Sequence, residues 1–116
     1  MDAQLTRMTE KIIETCQRLH SKNMLAAADG NVSCRLDSER ILITPSGISK
    51  AQVRPEQMAI IDMEGKTLQG DPSSEKIMHL EVYKSCPEAQ SVVHAHPPHA
   101  IAFTVAMPHL TELPAE

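Results

Sequence analysis

The sequence is poor in aromatic side chains: of 116 residues one is Tyr, one is Phe and none is Trp. Proteins that grip single-stranded nucleic acid line a basic groove with several exposed rings. This chain carries 11 Lys and Arg against 15 Asp and Glu, a formal net charge of −4, so no nucleic-acid partner is expected. Long apolar runs are missing as well. None approaches the roughly 20 residues that cross a bilayer. The opening Met1-Asp2-Ala3-Gln4 also lacks the basic-then-apolar order of a secretory signal. The expected address is the cytoplasm, with no membrane partner. Cysteine is scarce, and Cys16, Cys34 and Cys86 are odd in number, far apart and without a C-x-x-C pair. Neither a disulfide framework nor a thiolate zinc knuckle is indicated, and the three read as reduced packing residues. With 41% apolar and 22% charged residues, a chain of this length can bury one core and not two. What stands in excess is histidine: there are six, four of them between His79 and His99.

Apolar positions at Leu5, Met8, Ile12, Ile13, Cys16 and Leu19 form a helical stripe that predicts a helix to about Asn23. Asp29-Gly30-Asn31 breaks it. Val32 to Leu36 and Ile41 to Thr44 read as the two strands of a hairpin around the polar turn Asp37-Ser38-Glu39-Arg40. A short helix is expected near Pro55 to Met58, where proline suits a first turn. Ala59 to Met63 reads as a buried strand, followed after Glu64-Gly65 by a shorter one at Thr67-Leu68. Ser73 to Cys86 has helical spacing, with Ser73 or Ser74 able to cap its first amides. Ser91 to His96 reads as a strand around Val92-Val93, and Pro97-Pro98 opens an expected helix through about Met107.

Four segments could carry chemistry. In His94-Ala95-His96, on an expected strand, side chains two apart share a face, so two imidazoles can converge on one cation. The same pair could equally make ordinary hydrogen bonds at a strand end. Pro72-Ser73-Ser74-Glu75 opens a helix, where unpaired N–H groups, a positive dipole end and two hydroxyls suit a phosphate, although a plain cap uses the same residues. Gly30-Asn31-Val32-Ser33 and Thr44-Pro45-Ser46-Gly47 are small polar loops beside strands, through which a backbone can approach an anion. No Walker loop or dinucleotide fingerprint occurs. His79, four residues after Glu75, could stand behind a metal ligand but reads more readily as a surface or helix-face histidine. His99 and His109 read as structural or exposed, and Lys50 and Lys76 as solvated.

The order of these segments is specific. G-N-V-S, then L-I-T-P-S-G, a strand with D-x-x-G-K, P-S-S-E and finally V-V-H-A-H-P resembles the class II aldolase and adducin head domain family, from about Lys11 to Met107. The resemblance implies an α/β fold, a three-layer αβα sandwich around a mainly antiparallel sheet. Residues 1–116 would form the N-terminal portion of one such domain, apparently truncated. It implies a zinc ion held by His94 and His96, with Glu75 as acid/base and able to approach the metal. It further implies a substrate phosphate held by Gly30, Asn31, Ser46, Gly47, Ser73 and Ser74.

The implied reaction is reversible cleavage of a ketose 1-phosphate, of the L-fuculose 1-phosphate type, into dihydroxyacetone phosphate and an aldehyde. The implied assembly is a homotetramer. Epimerases, dehydratases and decarboxylases acting on sugar phosphates belong to the same family, as does adducin's non-catalytic assembly module. The retained His94, His96 and Glu75 favour the enzymes. The chain departs from the family pattern in length and in lacking a downstream third zinc-binding histidine. If these residues are the whole protein, little or no activity is expected; if they belong to a longer one, the aldolase reading applies to that parent.

Overall fold

The computed structural model describes residues 3–25 and 30–95. Helix α1 spans Ala3–Ser21 and buries Ile12 and Cys16 of the stripe seen in the sequence, together with Thr9. Its end is closed by Asn23, which takes the left-handed conformation at φ 59°. The Met24 N–H then reaches back to the Leu19 carbonyl at 2.9 Å, so the helix stops two residues short of Asn23 and is capped by it. Strands β1 (Asn31–Arg35) and β2 (Arg40–Ile43) form the expected hairpin. Its turn is held by Asp37, whose Oδ1 accepts the N–H groups of Glu39 and Arg40 at 2.9 Å each.

After a single 3-10 turn at Pro55–Gln57 come β3 (Ala59–Asp62) and β4 (Thr67–Gln69). Helix α2 (Lys76–Ser85) then leads to β5 (Ser91–His94). The five strands make one sheet in the order β4-β3-β2-β1-β5, antiparallel throughout. The last strand is thus laid beside the first, which brings His94 next to the G-N-V-S segment.

Alternation along the strands divides the interior in two. Val32, Cys34, Leu42 and Ile60 face α1 and pack with Ile12 and Cys16. Ile41, Ile43, Ala59 and Ile61 face the other way and pack with Leu80 and Tyr83 of α2. A helix on each face of an antiparallel sheet is the three-layer arrangement that the resemblance implied. The expected helix from Pro97 to Met107 lies outside the described residues. Among those described, no helix is long and apolar enough to cross a membrane.

Candidate active site

Two loops are pinned together at one end of the sheet. Pro45 and Pro72 form an isolated antiparallel bridge. The Ser46 N–H donates to the Asp71 carbonyl at 2.9 Å, and the Ser73 N–H to the Thr44 carbonyl at 3.0 Å. T-P-S-G and P-S-S-E, separate in sequence, are therefore one structural unit. The pinning also delays the helix: α2 begins at Lys76, not at Ser73, because the Ser73 amide belongs to the bridge. Its Oγ instead accepts the Glu75 N–H at 3.2 Å. The Ser46 and Ser73 amides are thus occupied, which leaves their hydroxyls as the groups open to a ligand. Gly47 sits at φ +71° with nothing within 4 Å of where a Cβ would stand, so it needs glycine for its backbone conformation rather than for space.

Beside this unit, β1 and β5 contribute a second wall. Asn31 is the register partner of His94, so both side chains project to the α2 side of the sheet. Gly30, at φ +85°, passes so close that a Cβ there would lie 3.0 Å from the His94 carbonyl oxygen and 2.2 Å from Leu25 Cδ2. The two walls enclose a polar cleft of about 120 Å³ lined by Gly30, Asn31, Ser46, Gly47, Ser73, Ser74, Glu75 and His94, together with Pro45 and Lys50. All the candidate site residues within the described segments thus meet in one place. His96 lies outside the described residues, as do His99 and His109.

Two residues, Lys50 and His79, differ from their reading in the sequence. Lys50, expected to be solvated, is only 2% exposed and lines the cleft. Its Nζ donates to the Ile48 carbonyl at 2.8 Å, so the side chain folds back beneath the T-P-S-G loop instead of extending into water. His79 is on a helix face but fully buried, not at the surface. Its ring bridges Ser33 Oγ, 2.6 Å from Nδ1, and Asn31 Oδ1 at Nε2. Burial, assisted by the neighbouring His94, pushes its pKa down from 6.5 to about 4, so it is neutral at physiological pH. Glu75, the implied acid/base, is not drawn into the interior but is exposed at the mouth of the cleft. The position before α2 directs it outward. The spacing of Asn31, Ser33, His79 and Tyr83, alternate on the strand and four apart on the helix, is the sequence signal for a shared buried contact.

For a metal ion, the cleft presents one imidazole, His94, and one carboxylate, Glu75, both of types that bind zinc. The Nδ1 atom of His94 is shielded from solvent. Among the described residues, no group of three or more His, Cys, Asp or Glu side chains is arranged to hold a metal. The donors fit zinc in kind but are too few without His96.

Residues 10–115 match the family of the class II aldolase and adducin N-terminal domain. The chain belongs to that family. It is 37% identical over 110 residues to a 5-methylthioribulose-1-phosphate/5-deoxyribulose-1-phosphate aldolase of Escherichia coli, covering 94% of this chain and 50% of that one. It is 38% identical over 88 residues to a 3-oxo-tetronate 4-phosphate decarboxylase of Haemophilus influenzae, covering 75% of this chain and 42% of that protein. Among solved structures, the L-fuculose-1-phosphate aldolase of Thermus thermophilus superposes with a TM-score of 0.76 at 33% identity, over all of this chain and 56% of its own. The chain spans about half the length of the curated relatives it matches.

Proposed function

We propose that this chain carries the substrate-phosphate and proton-transfer half of a zinc-dependent lyase that cleaves a ketose 1-phosphate into dihydroxyacetone phosphate and an aldehyde. The observation that carries the reading is the convergence of the four separate segments on one polar cleft. The matched relatives bear names of sugar-phosphate enzymes of more than one reaction type, so the shared element is the phosphate and the specific reaction is this proposal's own.

The residues divide the work. The hydroxyls of Ser46, Ser73 and Ser74, the Asn31 amide and the backbone at Gly30 and Gly47 would hold the phosphate, and Lys50 would add a cation. Fixing that remote group orients the carbon–carbon bond to be broken, which turns binding energy into positioning. Glu75 is free of the interior and reaches the cleft mouth, where its carboxylate would take and return the proton that cleavage transfers. His94 and His96, with Glu75 able to approach, would hold zinc. A zinc ion bound there supplies Lewis acidity to the substrate's carbonyl and hydroxyl oxygens. Assembly as a homotetramer and a cytoplasmic address complete the proposal; three free thiols suit a reducing compartment.

The test is product analysis with the zinc-loaded full-length protein and a ketose 1-phosphate. Dihydroxyacetone phosphate supports the proposal, whereas release of water or carbon dioxide without it transfers the assignment to a dehydratase or decarboxylase. Glu75→Gln should lower turnover by about 100-fold or more while leaving the zinc content unchanged. Intact protein purified without any divalent metal would point to an adducin-like assembly module instead.

A further inference from the structure

Beneath the cleft floor runs a continuous buried chain of polar groups. Tyr83 Oη lies 2.7 Å from Ser33 Oγ, which lies 2.6 Å from His79 Nδ1, and His79 Nε2 meets Asn31 Oδ1. Tyr83, Ser33 and His79 are at most 1% exposed and Asn31 is 4% exposed. Asn31 stands at the end of this chain and at the wall of the cleft at the same time. A carboxamide is two-ended, an acceptor oxygen on one side and a donor NH2 on the other. Whatever grips one end from the interior therefore decides what the other end offers to a ligand.

We propose that His79 is a positioning residue that holds the Asn31 oxygen inward, so that Asn31 presents its NH2 group as a donor to an anionic oxygen of the substrate. The inference rests on the reading of the cleft as a phosphate site and names how one of its residues acquires its polarity.

The direction of the hydrogens follows from the groups themselves. A neutral imidazole has one donor nitrogen and one acceptor nitrogen. The Asn31 oxygen can only accept, so Nε2 carries the hydrogen and Nδ1 accepts from the Ser33 hydroxyl. The Ser33 oxygen, having donated its hydrogen, accepts from the Tyr83 hydroxyl. Ser33 has a single hydroxyl hydrogen and His79 takes it, so Tyr83 is the donor of that pair. All the bonds thus run the same way, from Tyr83 to Asn31, and every buried member is satisfied. In the reverse sense Asn31 would turn its oxygen to the cleft and repel an anion.

The first measurement needs no variant. Long-range proton–nitrogen correlation of the native chain should show His79 as the neutral tautomer protonated on Nε2. Protonation on Nδ1, or on both nitrogens, overturns the proposal. The second uses inorganic phosphate as the probe, with binding followed by phosphorus NMR. His79→Leu, which removes the donor, should weaken phosphate binding by about tenfold. His79→Gln, whose amide nitrogen can replace Nε2, should stay within about threefold of the native chain. With Asn31→Ala already present, His79→Leu should add less than about twofold, because its effect passes through Asn31.

If Asn31→Ala weakens binding but His79→Leu does not, His79 has no such role and the phosphate site stands. If the native chain binds no phosphate while His79 shows the Nε2 tautomer, it is the phosphate reading that falls and takes the proposal with it. Far-UV circular dichroism checks that each variant folds, and should His79→Leu not fold, the tautomer and His79→Gln decide the matter.

Discussion

Two nitrogen bases are buried beside the cleft, and they meet the cost of burial differently. His79 is neutralised: its folded pKa near 4 lies below the 6.5 of an exposed imidazole. Between these values the unfolded chain binds a proton that the folded one does not, so stability falls as pH drops from 6.5 toward 4 and levels off below. The groups that face this ring are His94, Asn31, Ser33 and, through Ser33, Tyr83, and His94 adds to the effect of burial. The linked loss is about 3 kcal/mol, and urea unfolding at pH 7.5 and pH 4.5 should show most of it. Replacing His79 by Gln should flatten that slope.

Lys50 instead has its Nζ on the Ile48 carbonyl and is the one Lys or Arg among the described residues lining the cleft. A charge-assisted hydrogen bond to an anion is worth more than a neutral one. Lys50→Met should therefore weaken inorganic phosphate binding by about 10- to 100-fold, and Lys50→Arg by less, as read by phosphorus NMR titration. An unchanged affinity in Lys50→Met would remove Lys50 from the site.

At the scale of elements, the close approach between the start of β1 and the end of β5 builds the His94 wall. Gly30→Ala would place a methyl group against Leu25 Cδ2 and 3.0 Å from a backbone oxygen, at a φ that disfavours any side chain. Leu25 can turn aside, but the His94 carbonyl cannot without moving β5. A loss of about 1–3 kcal/mol is expected, measured by thermal unfolding.

Periodicity made most elements legible through their apolar faces, with Ile12 and Cys16 on α1, Ile41 and Ile43 on β2, and Leu80 and Tyr83 on α2, whereas the exposed β4 was legible only from the turn at Glu64-Gly65 before it. The boundary at Ser73 was not legible, since it depends on a bridge to Thr44, far away along the chain. The site's composition was readable from the order of its motifs. The inward turns of Lys50 and His79 were not, because burial of a polar side chain depends on partners, Ile48, Ser33 and Asn31, that only the folded sheet supplies.

For the molecule as a whole, the sheet is a wall shared by two cores. Ile41 faces α2 and Leu42 faces α1, and the same alternation holds for Ile60 and Ile61. Neither face can be dismantled without removing the strands against which the other packs, so the chain should unfold as one cooperative unit. The sequence provides separate probes for the two faces. Of the two described helices α1, with 19 residues against 10 in α2, gives the larger far-UV signal, whereas the single tyrosine, Tyr83, lies on the α2 side and no tryptophan competes with it.

Leu80 is 2% exposed, and Leu80→Ala should cost about 2–5 kcal/mol from lost burial and the cavity left behind. In a chain of this size each kcal/mol lowers the midpoint by about 3–6 °C. Both signals should shift together by that amount in thermal melts, although the cavity touches only one face. A tyrosine transition that moves while the helical one stays in place would mean that the two faces fold independently. The sheet would then be no common wall, and the cleft at its end would lose the rigid support that holds Asn31 and His94 side by side.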